Sequence, residues 1–156
     1  LRLIGLLILM VIAAASFLPE QNVLAGTRWH CKTIKTDFLS QAFQPYQSLY
    51  ERISLTFQSD HTFSMREFVT ITEQDGKEST MENLYFGHYE LDGNNLSMSI
   101  IDVRTATPFH DPIINNEYSE YKGVTIDYAI AVKDQSLYLF NEHRSEIFNW
   151  ACFDVQ

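Results

Sequence analysis

From Thr27 onward, apolar and polar side chains alternate with a period of two almost to the end of the chain. A strand sends successive side chains to opposite faces, so this alternation predicts strands with one buried face. The first predicted strand spans residues 27–34, with Trp29, Cys31 and Thr33 facing away from Arg28, His30 and Lys32. The second, residues 51–58, sets Ile53, Leu55 and Phe57 against Arg52, Ser54, Thr56 and Gln58. Ser59-Asp60-His61 turns into a third, residues 62–72, whose inward set is Phe63, Met65, Val69 and Ile71. Asp75-Gly76 is a tight-turn signal ahead of a fourth strand, residues 82–91, with Tyr85, Gly87, Tyr89 and Leu91 on one face. Asp92-Gly93-Asn94-Asn95 leads to a fifth with Leu96, Met98 and Ile100 inward. Ile101 and Val103 then change face, which calls for a kink near Ile100. Residues 106–121, broken by Pro108 and Pro112, read as a long loop. Strands follow at 123–132, 137–141 and 146–154. All four prolines fall outside the eight strands, as hydrogen-bonded ladders require.

Residues 36–50 hold the one helix candidate: Asp37 as N-cap, then Phe38, Leu39, Ala42 and Phe43 at three- and four-residue spacing, stopped by Pro45. Two forms fit this segment. A short amphipathic helix would lie across one mouth of a barrel as a lid; a loop would pack its phenylalanines on the rim.

Cys31 and Cys152 each stand two residues after a tryptophan, so each shares a strand face with Trp29 or Trp150. Bridged thiols need Cα atoms within roughly 7 Å, which would set the first and last strands side by side. A sheet whose first strand meets its last is closed. The expected fold is therefore all-β, an eight-stranded antiparallel up-and-down barrel with a short helix or loop between its first two strands. Two buried free thiols are the alternative.

Leu1-Arg2 is followed by an uncharged, mostly aliphatic run and the small residues Ala13-Ala14-Ala15-Ser16. This is the layout of a secretory signal peptide, with cleavage after Ala15 or Ala25. The run also approaches the length of a membrane span, so residues 1–25 are either a signal peptide or an N-terminal anchor. Residues 26–156 form the barrel domain. The expected location is periplasmic or secreted. If residues 1–18 are retained, the protein is membrane-anchored on the non-cytoplasmic side. Two cysteines in an exported chain read first as one disulfide.

A net charge of −9 opposes the phosphate attraction on which most nucleic-acid binding depends, so no nucleic acid is expected as a partner. A cationic protein partner fits the charge, and so does simple solubility.

Chemistry-bearing motifs are sparse. His30, His61, His88, His110 and His143 show neither i, i+4 helical spacing nor clustering with cysteine, so no metal site or other cofactor is expected. No nucleophile elbow or phosphate-cradling glycine loop is present, and no catalytic residue or enzymatic activity is expected. Glu67 stands out because the alternation aims it into the interior. Either a bulge sends it outward, or it needs a partner such as Arg66, Arg104, a tyrosine hydroxyl or a ligand. Alternation names the lumen candidates Phe57, Phe63, Met65, Glu67, Tyr85, Tyr89, Met98 and Tyr128, with Phe38, Leu39 and Phe43 as lid candidates. These side chains either line a ligand cavity or fill the core; an eight-stranded barrel is wide enough for both.

Gly26-Thr27-Arg28-Trp29 at the opening of the first strand, eight strands joined by Asp-Gly hairpins, and cysteines on the terminal strands resemble the lipocalin-like (calycin) superfamily of exported barrels. In that family one residue separates the Gly from the Trp; here two do. The resemblance implies a small apolar ligand held in the barrel with the first connection as a lid. A second expectation is a cell-envelope interaction or inhibitor module with a filled core, working through the acidic loops at 73–82 and 108–120.

Overall fold

The computed structural model describes residues 22–37, 40–141 and 149–155. Its strands are β1 (Arg28–Lys35), β2 (Tyr46–Phe57), β3 (Thr62–Glu73), β4 (Glu78–Asp92), β5 (Asn95–Thr107), β6 (Thr125–Lys133), β7 (Ser136–Phe140) and β8 (Trp150–Asp154), with one helix, α1 (Pro112–Ser119), between β5 and β6. Each strand pairs antiparallel with the next, and β8 pairs with β1, closing the barrel in up-and-down order. Cys31 pairs directly with Cys152 in that last ladder, and the two form a disulfide.

The strands match the alternation closely, and two details are informative. β2 starts at Tyr46, five residues early, because Leu49 and, beyond a register shift, Tyr46 also point into the core. The kink near Ile100 is a bulge: Phe86 pairs with Asp102 and Gly87 with Ile100, leaving Ile101 as the extra, exposed residue. Val103 thereby regains the inner side opposite Tyr85. Gly87 makes the bulge feasible, since a Cβ there would lie 2.0 Å from the Ser99 carbonyl oxygen.

The connection between β1 and β2, open to either a short helix or a loop, takes the loop form at its described residues. Asp37, the expected N-cap, has φ +56°, outside the extended conformation an N-cap adopts, and residues 41–45 form turns. Phe43 packs edge-on against Tyr118. Phe38 and Leu39 lie outside the described residues. The helix instead occupies the stretch read as a loop. Pro112 takes its first turn, where a missing N–H costs nothing, and Asp111 caps it by accepting from the Ile113 N–H at 2.9 Å.

Up-and-down order sorts the connections between two ends. The short hairpins after β2, β4 and β6 share one end with residues 22–27. There Leu24 is fully buried, Gly26 turns at φ +75° and donates to the Phe57 carbonyl, and Asn22 donates to Tyr89. Leu24 plugs this end. The opposite end carries the connections after β1, β3, β5 and β7, and α1 covers it with Ile114 and Tyr118 buried.

Candidate functional site

Inward positions near the helix-covered end include a run of polar side chains: Lys35 on β1, Glu51 on β2, Glu67 on β3 and Asn83 on β4. Glu51, Glu67 and Asn83 are buried. The β2–β3 register runs unbroken through Ile53↔Glu67, so no bulge turns Glu67 outward. The two named arginines do not reach it. Arg66 pairs with Glu82 at 2.6 Å and Arg104 with Asp102 at 2.8 Å, both on the exterior. Its partner is a tyrosine: the Tyr85 hydroxyl donates to Glu67 Oε2 at 2.6 Å.

Glu51 is a diagonal neighbour of Glu67 across the β2–β3 ladder. The Tyr118 hydroxyl donates to Glu51 Oε1 at 3.0 Å, and the Lys35 ammonium lies 2.7 Å from Oε2. That ammonium also sits 5.6 Å from the Trp150 ring centroid, within cation–π range. Asn83 Oδ1 accepts from Thr105, while its Nδ2 has no hydrogen-bond partner among the described residues.

Glu51, Glu67, Tyr85 and Tyr118 border a chamber of about 50 Å³ whose lining also includes Tyr121 and Trp150. A second void of about 20 Å³ lies deeper, against Phe63, Met98 and Leu139. Among the eight lumen candidates, Met65, Glu67, Tyr85 and Tyr128 line the chamber, and Phe63 and Met98 reach the deeper void. Phe57 and Tyr89 line neither; their rings pack edge-on, 4.8 Å apart, at the plugged end. The barrel is thus filled in one half and hollow in a small part of the other. The chamber is far smaller than the roughly 300–1,000 Å³ of a pocket for a drug-sized molecule.

Burial pushes the Glu67 carboxyl from 4.5 up to about 8, and the negative charge of Glu51 pushes the same way. The Tyr85 hydroxyl, Lys35 and Asn83 pull it back in part. At neutral pH Glu67 therefore holds its proton. Burial and the neighbouring carboxyls also raise Tyr85 and Tyr118 well above the usual phenol range, so both hydroxyls remain donors.

Histidines contribute little here. His30 and His88 are exposed on outer faces, His61 sits at a turn, and His110 lies 3.8 Å from Glu73; His143 is outside the described residues. Among the described residues no three His, Cys, Asp or Glu side chains are grouped to hold a metal ion.

Glu51, Lys35 and Asn83 went unnamed in the sequence, yet each continues a period-two set already recognised: Glu51 two before Ile53, Lys35 two after Thr33, Asn83 two before Tyr85. Tyr118 had no such signal, because it sits on α1. No protein-family model matches the sequence, and no curated protein matches it.

Proposed function

We propose that the protein is an exported, lipocalin-like barrel that binds one compact, mostly apolar small molecule in the chamber beneath α1. The observation that carries this reading is the chamber itself: a preformed void at the helix-covered end, with buried carboxyl and tyrosine groups converging in an otherwise apolar lining. Isolated polar groups in an apolar cavity orient a ligand at little loss of desolvation energy, which is the usual design of a small-molecule site. The disulfide supports an oxidising, non-cytosolic compartment. Among the described residues no helix is long and apolar enough to cross a membrane. Removal of the N-terminal segment falls upstream of Asn22 in this reading, since a cut after Ala25 would discard the Leu24 plug.

The test is direct. Trp150 borders the chamber, so its fluorescence should change as small alcohols, amines and ketones of a graded panel are titrated in. Filling the void with Ile126→Phe should abolish the response while far-ultraviolet circular dichroism is retained. A panel with no member that perturbs Trp150, together with native mass spectra free of any bound molecule, would overturn the reading.

A second reading, an interaction module for a cationic protein, draws on one observation. The two acidic loops meet at the same end: Glu73 faces His110, and Asp111 accepts from Tyr46 at 2.8 Å. Replacing Asp75, Glu78, Glu117 and Glu120 by their amides should then release a captured cationic partner.

A further inference from the structure

The chamber's walls combine two chemistries that an apolar ligand does not require. Tyr85, Tyr118, Tyr121, Tyr128 and Trp150 supply aromatic surface, and Glu51 and Glu67 supply carboxyl groups. Aromatic walls beside acidic groups are how proteins hold ammonium ions out of water, since ring quadrupoles replace part of the lost hydration. The chain already places one alkylammonium in this setting: Lys35 lies between Glu51 and the Trp150 ring. Glu67, by contrast, has a hydroxyl donor but no ion-pair partner among the described residues.

We infer that the ligand is a small organic cation whose ammonium group lies against Glu67 inside the aromatic walls. This deepens the small-molecule reading above and rests on it. A void of about 50 Å³ admits about two non-hydrogen atoms, the size of methylammonium.

Binding is an exchange of charge. The protonated carboxyl of Glu67 gives its proton to water, the carboxylate that remains pairs with the incoming ammonium, and no covalent bond to the ligand forms. The groups facing Glu67 are Glu51 from β2, Tyr85 and Asn83 from β4, and Lys35 from β1, with Tyr118 from α1 in the same cluster. Glu51 reinforces the attraction. Lys35 opposes it, and its pairing with Glu51 keeps the two cations on separate carboxyls. Because Glu67 titrates near 8, affinity should rise about tenfold per pH unit below that value and level off above it.

Isothermal titration calorimetry with methylammonium and with methanol, a neutral molecule of similar size, tests this between pH 6 and pH 9. The cation should bind more tightly as pH rises, with release of close to one proton at pH 6.5, read from the dependence of the heat on buffer ionisation. The alcohol should bind weakly and without pH dependence. Glu67→Gln should lose the pH dependence for the cation. Proton release in the wild-type protein gives the same answer should that variant not fold. Equal, pH-independent binding of both probes, or of the alcohol alone, would overturn the cation assignment and leave small-molecule binding standing. Binding of neither would remove both.

Discussion

Glu67 concentrates the chemistry of the molecule in one side chain. The unfolded chain releases its proton near 4.5 and the folded barrel near 8. Between those values the folded state holds the extra proton, so stability falls as pH rises through that window and stays lowered above it. Glu67→Gln keeps the shape and the capacity to accept from Tyr85 while removing the ionisation. Chemical denaturation at pH 5 and pH 9 should therefore show the variant close to wild type at the lower pH and more stable at the higher one. The upper bound on that gain is about 5 kcal/mol. A wild-type–variant difference that does not grow between the two pH values would show that Glu67 titrates normally. The carboxyl's interior position was one of two outcomes legible in the alternation. The choice between them was not, because a bulge is a property of two paired strands.

At the scale of elements, the strand pattern was clear because each strand buries one face, and burial leaves its mark at every second residue. The helix was not. α1 is eight residues long with only Ile114 and Tyr118 buried, too short a stripe for a 3.6-residue period to emerge. Its proline looked like a breaker although the first helical turn tolerates one. Residues 37–43 have an apolar spacing that suits a helix, one of the two forms open to them, but the backbone turns at Asp37. The segment 22–27 behaves as a distinct element, closing the barrel from below. Leu24→Ala opens a cavity at that plug and should lower the unfolding free energy by about 2–5 kcal/mol in urea denaturation. A change under about 0.5 kcal/mol would mean that the plug is dispensable.

For the whole molecule, closure is the governing feature. A barrel has no free edge strands, and the link between β1 and β8 is made twice, by a ladder and by a disulfide across 121 residues of chain. Tying so long a loop restricts the unfolded chain, so Cys31→Ala/Cys152→Ala should cost about 2–5 kcal/mol, measured as a lower denaturation midpoint with an intact native circular-dichroism spectrum. Charge is arranged at this scale too. Arg28, His30, Lys32, Arg52 and Arg66 share the outer wall of β1–β3, with Arg66 4.8 Å from the Phe68 ring centroid, although the chain carries −9 overall. The acidity therefore gathers away from that wall, which includes the loops around the chamber.

Strand number, the inward faces and the turns between hairpins could be written down from residue order. They depend on sterics and burial acting over a few neighbouring positions. The disulfide partners were legible for the same reason, since alternation placed both cysteines on inner faces at opposite ends of the chain. Closure itself settled the rest: that Glu51 and Glu67 stand diagonally across one ladder, that Tyr118 arrives from a helix 67 positions away to meet Glu51, and that the packed side chains leave a chamber of about 50 Å³. Such features depend on register between strands and on how side chains from five or more elements share one volume, and no local stretch of the chain contains that information.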